Sequence, residues 1–145
     1  MSYWSSERYT CYKLNKEFRN KNFGEVSQGM KRIIAGYLQD DSDQGQFRFS
    51  LTCVECGTVW KSPPIRFSKA GVPSPSEAKQ IVFRTLCQRE WEQARERAIV
   101  EAAHGFNWCP LCGRLVCNRC FLICDDLDMC RTCAEDLHER GDPVA

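Results

Sequence analysis

The sequence predicts a small α+β domain in which short β-hairpins and helices surround paired cysteines. The chain has 145 residues, the size of one domain or of one domain with an appendage. Eleven residues are cysteine, and eight of these fall into four Cys-x-x-Cys pairs. Alternating apolar and polar residues around the first pair indicate a hairpin, whereas helical spacing dominates the stretch between the first and second pairs. We therefore expect a fold organised by its cysteines.

The first part of the chain predicts a basic arm followed by a helix. Residues 1–23 are polar and basic with interleaved aromatics and show no clear period, so we interpret them as an arm or an irregular wrap on the core. From residue 24 onward, apolar side chains recur at helical spacing, among them Val26, Met30 and Ile34. This pattern predicts a helix over 24–39 as the start of a single domain spanning 24–145.

Residues 47–67 predict a hairpin with cysteines at its tip. The segment alternates apolar and polar residues and breaks at a Cys-x-x-Cys-Gly turn that carries Cys53 and Cys56. Pro63 and Pro64 restrict its return strand to an edge or end it.

A long helix is predicted over 75–105, with Ser74 or Ser76 as its N-terminal cap and Gly105 as its stop. Two apolar stripes run along it. Because the second stripe lies in the first half of the helix, we expect that half to be buried on two sides. The first stripe consists of Cys87, Trp91, Ala94, Ala98 and Ala102. The second stripe consists of Ala78, Val82 and Leu86.

The four pairs predict two tetrahedral metal sites. A turn with two intervening residues aims both sulfurs at one point, and two such turns form an S₄ site. Gly57 and Gly113 follow their pairs at positions where a positive φ is often needed. Four thiolates suit zinc or an iron–sulfur centre, and zinc is the commoner occupant where no redox chemistry is required. We expect two zinc ions per chain, with residues 107–140 as a Cys-rich module that needs metal to fold. The predicted ligands are Cys53, Cys56, Cys109, Cys112, Cys117, Cys120, Cys130 and Cys133.

The sequence allows two arrangements of these pairs, of which we favour the cross-brace. In a cross-brace, the first and third pairs share one ion and the second and fourth share the other. In a sequential arrangement, the first and second pairs share an ion, and so do the third and fourth. "CVECG" and "CPLCG" resemble the two facing turns of zinc ribbons and rubredoxin-like sites, which favours the sequential form.

The segment "CPLCGRLVCNRC" resembles the centre of FYVE-type zinc fingers, which favours the cross-brace. That family also has four residues between its second and third pairs and a last pair that leads into a helix, here "DMCRTCAEDLHER". The resemblance implies a treble-clef-like C-terminal helix. The 52 residues between the first two pairs exceed the family's usual interval. "HGFNW" replaces the basic motif of the phosphoinositide-binding members, so we expect no membrane binding.

The remaining cysteines and both histidines have simpler interpretations. Cys124 and Cys87 are expected to be buried apolar residues, and nothing marks Cys11. His104 is expected in the last turn of the long helix, where a cation suits the helix dipole. Because four complete cysteine pairs fill both predicted metal sites, neither His104 nor His138 is expected to be a ligand.

The sequence points to a protein without catalytic function. A closed S₄ site does not activate water, and no Ser-His-Asp set, phosphate-binding loop or pair of catalytic carboxylates stands out. We expect a zinc-finger protein that binds another macromolecule, most simply a protein, as an adaptor or scaffold. No apolar leader or membrane span is visible, so we expect a cytoplasmic, soluble protein, in which cysteines are kept for metal rather than disulfides.

Two alternatives remain. Residues 1–39 carry seven Lys/Arg against three Asp/Glu, and their basic and aromatic side chains could bind nucleic acid. Binding that weakens steeply with salt would support this hypothesis. The second alternative is a thiol redox or iron–sulfur protein, which a visible absorption band would reveal.

The arm should contribute to binding rather than to folding. Deleting residues 1–20 is expected to leave the melting temperature nearly unchanged, because the segment shows no apolar period that would place it in a core. Thermal unfolding of the full-length and shortened chains is the measurement. A large drop in melting temperature would show that the aromatics of the arm belong to the core.

Overall fold

The computed structural model describes residues 26–73 and 76–145, so the basic arm predicted over 1–23 lies outside the described residues. The described part is mixed α and β, and its strands pair antiparallel. The helices are α1 (Gln28–Tyr37), α2 (Gln80–Ala103) and α3 (Arg131–Leu137), with 3₁₀ turns at Glu77–Lys79 and Asn118–Cys120. The strands are β1 (Gln39–Asp40), β2 (Gln46–Phe47), β3 (Phe49–Thr52), β4 (Val59–Lys61), β5 (Ile65–Arg66), β6 (Phe106–Trp108), β7 (Leu115–Cys117), β8 (Phe121–Cys124), β9 (Met129–Cys130) and β10 (Gly141–Pro143).

Helix α1 is shorter than the helix predicted over 24–39. Ser27 defines its start, because its hydroxyl accepts a hydrogen bond from the backbone N–H of Met30 at 3.2 Å. Met30 and Ile34 are fully buried, as the apolar period predicts. The helix packs against α2 through this face.

The first hairpin agrees with the prediction over 47–67. Strands β3 and β4 pair in the register Ser50↔Lys61, and the turn between them carries Cys53 and Cys56. The return strand stops at Lys61 before the two prolines, and pairing resumes beyond them where β5 meets β2.

The long helix lies where it was predicted, but of its two predicted apolar stripes only the first reaches the core. Ala94, Ala98 and Ala102 face the core. The expected second stripe is wrong for Ala78, which is exposed, and for Val82, which is 66% exposed. Leu86 is half-buried against the aromatic cluster beside α2, so the first half of the helix packs on one side and is open on the other.

Two adjoining cores hold the described part together. The smaller is aromatic and alanine-rich and lies between the first hairpin and α2. Its buried members are Phe47, Phe49, Phe67, Ala94 and Ala98. The larger contains apolar side chains of α1, α2 and the C-terminal strands together with six buried cysteines. Those cysteines are Cys53, Cys109, Cys117, Cys120, Cys124 and Cys130, with Cys133 partly buried against the cluster.

The Cys-rich module extends beyond the predicted limit of residue 140. Strand β10 pairs with β8 in the register Gly141↔Cys124, and β8 pairs with β9 on its other side. Within residues 26–73 and 76–145, no helix has the length and apolar character needed to cross a bilayer.

Gly141 should be indispensable for the close approach of β10 to β8. An added Cβ would lie 2.5 Å from the carbonyl oxygen of Ile123 and 2.8 Å from Sγ of Cys124. Gly141→Ala should therefore cost ~1–3 kcal/mol, the usual range for overpacking. Thermal unfolding in the presence of zinc is the measurement.

Gly36→Ala is the matched control for this substitution. Gly36 lies near the end of α1 and its added Cβ would meet nothing within 4 Å. The control should be stabilising by ~0.5–1 kcal/mol, because alanine is the better helix former. An unchanged melting temperature in Gly141→Ala would contradict the proposed close packing.

Candidate metal centre

The eight paired cysteines form two separate clusters of four. Site 1 joins the first and third pairs, and site 2 joins the second and fourth. In each site the four Sγ atoms all lie within 4.8 Å of one another. Site 1 consists of Cys53, Cys56, Cys117 and Cys120, and site 2 consists of Cys109, Cys112, Cys130 and Cys133. Of the two arrangements that the sequence left open, this is the cross-brace grouping.

The first pair of each site is presented by the same kind of turn. In site 1 the backbone N–H of Gly57 donates to the carbonyl of Cys53 at 2.8 Å, and in site 2 Gly113 donates to Cys109 at the same distance. Both glycines have the positive φ that their position suggested, +78° for Gly57 and +73° for Gly113. The repeated "Cys-x-x-Cys-Gly" sequence thus produces the same local structure twice.

The second pair of each site comes from the C-terminal module. Cys117 ends β7 and Cys120 closes the following 3₁₀ turn. Cys130 ends β9, and Cys133 lies in the first turn of α3. The predicted position of Cys133 at the start of a helix is therefore confirmed.

Backbone amides support the sulfurs in the same way in both sites. The N–H of Cys117 donates to Sγ of Cys53 at 3.2 Å, and the N–H of Cys130 donates to Sγ of Cys109 at 3.3 Å. Each of these bonds connects a first-pair sulfur to the backbone of its partner pair.

The spacing of the sulfurs fits a tetrahedral ion. Sγ–Sγ distances are 3.7 Å for Cys56–Cys117, 3.8 Å for Cys109–Cys133 and 3.7 Å for Cys112–Cys130. Metal–sulfur bonds of ~2.3 Å in a regular tetrahedron imply sulfurs ~3.8 Å apart. These distances are far longer than the ~2.05 Å of a disulfide. The residues present therefore fit a tetrathiolate metal site.

Two thiols of site 1, those of Cys56 and Cys120, show opposing pKa shifts. Hydrogen bonds with the hydroxyl and the backbone of Thr58 lower the pKa of Cys56 to about 6. Burial and the neighbouring sulfurs raise the pKa of Cys120. A cluster of four thiols without a cation cannot ionise fully, because each thiolate disfavours the next. A divalent cation removes this conflict and allows four thiolates.

Thiols of site 2 also have pKa values shifted in opposite directions, and here the hydrogen-bond donor is Arg114 instead of Thr58. Burial alone would raise the pKa of Cys112, but the side chain and backbone of Arg114 lower it to about 7. Burial raises the pKa of Cys133 and of Cys109. Nε of Arg114 lies 3.4 Å from Sγ of Cys112, and one of its Nη atoms lies 3.4 Å from Sγ of Cys130.

Cys124, Cys87 and the histidines stay outside both clusters. Cys124 is 8% exposed and packs in the larger core, as expected of a buried apolar residue, and Cys87 is half-buried beside the aromatic core. His104 and His138 terminate α2 and α3 as C-caps. Cys11 lies outside the described residues.

Sequence reasoning missed the polar residues that contact the sulfurs, chiefly Thr58 and Arg114. Each lies two residues beyond the second cysteine of a Cys-x-x-Cys-Gly turn. That shared position was the available signal, because donors that support metal ligands commonly lie close to them.

No family model matches the chain, and no curated protein or solved structure matches it either. The two clusters of four cysteines are close enough to bind metal and are consistent with zinc-finger-like folds. The functional assignment therefore depends on the geometry of these two sites.

Two Cys→Ser variants should distinguish a metal ligand, Cys117, from Cys124, a cysteine of equal burial that is not a predicted ligand. Cys117 and Cys124 are both 8% exposed. Cys117→Ser should lose about one zinc ion per chain, because a closed site needs its fourth thiolate. Cys124→Ser should retain both ions at a cost of ~1 kcal/mol for burying a hydroxyl.

Elemental analysis of the purified wild type and both variants is the measurement. Fewer than two ions in the wild type, or a lost ion in Cys124→Ser, would contradict the ligand assignment. The same analysis, with an absorption spectrum, identifies the metal.

Proposed function

We propose that the chain is a noncatalytic zinc-finger protein in which two structural zinc ions stabilise a surface that binds another protein. The observation that carries the zinc assignment is the presence of two clusters of four cysteine sulfurs, each within 4.8 Å of one another. Cysteine thiolates at this spacing suit zinc in tetrahedral geometry.

A structural role suits these sites better than a catalytic one. Catalytic zinc commonly has three protein ligands and a water in the fourth position, whereas each cluster here supplies four cysteines. Filled by four thiolates, the ion has no position left for a substrate or a reactive water.

The zinc ions would contribute directly to folding. Three of the four cysteines of each site lie in or against the larger core, among the side chains of α1, α2 and the C-terminal strands, whereas Cys56 and Cys112 are exposed. The strands of the Cys-rich module are only two to four residues long. Such strands bury little apolar surface, so metal binding energy would be largely folding energy. A strong chelator should then unfold at least residues 107–140.

An exposed apolar face on α2 supports a protein partner. Ile81 is 64% exposed and Val82 is 66% exposed, both in the first half of the helix. Leu86 packs against the aromatic core on one side of this half, and Ile81 and Val82 lie exposed. Adjacent exposed aliphatic side chains on a helix suit contact with another protein.

The nucleic-acid alternative loses one of its contributors within the described residues. Lys31, one of the basic residues on which it depends, pairs with Glu96 at 2.7 Å. A basic side chain engaged in an ion pair is less available to neutralise phosphate. The basic residues of the arm lie outside the described residues, and a salt titration of DNA and RNA binding tests their role.

Replacing the exposed aliphatic pair of α2 should weaken partner binding without unfolding the protein. The double variant Ile81→Asp/Val82→Asp removes two apolar contacts and should weaken the complex at least ~10-fold, given ~1.5 kcal/mol or more per buried aliphatic side chain. Acidic residues are tolerated near a helix N-terminus, so α2 should persist.

The experiment has two steps. The zinc-loaded protein captures its partner from cells that express it, and mass spectrometry identifies the partner. The affinity of the purified pair is then measured by calorimetry for the wild type and the double variant. Val72→Asp is the control, because Val72 is an exposed valine in the loop before α2. Equal affinities for all three proteins would exclude this face as the contact surface.

A further inference from the structure

An ion pair that belongs to neither ligand set connects the two cysteine clusters. Glu55 lies between Cys53 and Cys56 in the first turn of site 1, and its side chain is 12% exposed. Arg114 follows the first turn of site 2. Its Nη2 atom lies 2.6 Å from Oε2 of Glu55. A carboxylate from one site is thus paired with a guanidinium from the other.

The second carboxylate oxygen of Glu55 also contacts site 2. Oε1 of Glu55 accepts a hydrogen bond from the hydroxyl of Thr132, which lies between Cys130 and Cys133. Glu55 therefore contacts both chain segments that supply the sulfurs of site 2. A carboxylate with both oxygens engaged in this way depends on the position of both segments.

Arg114 completes the link because it also reaches the sulfurs of site 2. Its contacts at 3.4 Å with Cys112 and Cys130 join the two cysteine pairs of that site. Four thiolates around a divalent ion carry a net negative charge, which a guanidinium compensates through charge-assisted hydrogen bonds. The same side chain thus contacts the carboxylate of site 1 and two ligands of site 2.

We propose that Glu55 and Arg114 couple the two sites, so that metal in one site raises the affinity of the other. The inference rests on the proposed function, in which both clusters bind zinc. Metal in site 1 fixes the turn that carries Glu55, and Glu55 then holds Arg114 and Thr132 where site 2 needs them. Linkage makes the effect reciprocal, so metal in site 2 favours site 1 equally.

Native mass spectrometry during zinc titration measures this coupling directly. If two equal sites were independent, about half of the chains would carry one ion when half of the sites are filled, and positive coupling lowers this fraction. We expect the wild type to show mainly metal-free and two-ion chains. Glu55→Gln should reduce the coupling about 5-fold and raise the one-ion fraction, because it removes the charge of a partly buried pair.

Glu96→Gln is the matched control. Glu96 also forms an ion pair, with Nζ of Lys31 at 2.7 Å, but this pair joins α1 to α2 and includes no residue of either cluster. The same substitution there should leave the one-ion fraction at the wild-type value. If the loss of any carboxylate affected zinc binding, the one-ion fraction would instead change equally in Glu55→Gln and Glu96→Gln.

The outcomes distinguish the coupling from the zinc assignment. A wild-type one-ion fraction at or above the independent value, or equal fractions in the wild type and Glu55→Gln, would overturn the coupling. No zinc binding by the wild type would overturn the proposed function instead. If circular dichroism shows that Glu55→Gln does not fold in excess zinc, Thr132→Val replaces it. That variant keeps the ion pair, and its one-ion fraction should rise less; an unchanged fraction would overturn the proposal.

Discussion

The convergence of four sulfurs at each of two points is the constraint on which the rest of the structure depends. Site 1 brings together residues separated by more than 60 positions, as the Cys56–Cys117 contact shows. Closing such a loop costs conformational entropy. Ionising four neighbouring thiols adds an electrostatic cost, which the packing of their side chains does not offset. A cation that binds four thiolates reverses the electrostatic part of this cost. Thr58 lowers the pKa of Cys56, whereas burial and the neighbouring sulfurs raise the pKa of Cys120, so these two thiols do not ionise alike.

The cross-brace grouping makes the two sites interdependent along the chain. The pairs alternate between the sites in sequence order: the first and third pairs belong to site 1, and the second and fourth belong to site 2. The hairpin that contains Cys53 and Cys56 is thereby attached to the strand β6 that leads into the Cys-rich module and begins 50 residues after Cys56, at Phe106. In a sequential grouping the third and fourth pairs would have formed a site of their own. Here no part of the Cys-rich module completes site 1 without the hairpin.

The local features of the site could be predicted from the sequence, because they depend on neighbouring residues. The turns with their positive-φ glycines follow from the Cys-x-x-Cys-Gly pattern, and the burial of Cys124 follows from the tendency of free cysteine to be buried. Spacing alone does not decide how the pairs are shared between sites, since all four turns offer the same two sulfurs. The resemblance to FYVE-type fingers favoured the cross-brace, and the two cysteine clusters agree with it. The contact of Glu55 with Arg114 joins residues 59 positions apart, and no periodicity signals such a contact. The second stripe of α2 failed for a related reason: Val82 has a helical apolar spacing, but burial also requires a neighbouring element.

The two cysteine clusters also determine the direction of the first half of α2. The last carbonyl groups of a helix have no partner within the helix and need donors from elsewhere. Here Asn118, between Cys117 and Cys120 of site 1, donates through its side chain to the carbonyl of His104 and through its backbone to that of Gly105, both at 3.0 Å. Beyond Gly105, β6 leads directly to Cys109 of site 2. The end of α2 is therefore fixed by both sites. Because a helix is stiff along its axis, fixing its last turn also directs its first half, where Ile81 and Val82 are exposed.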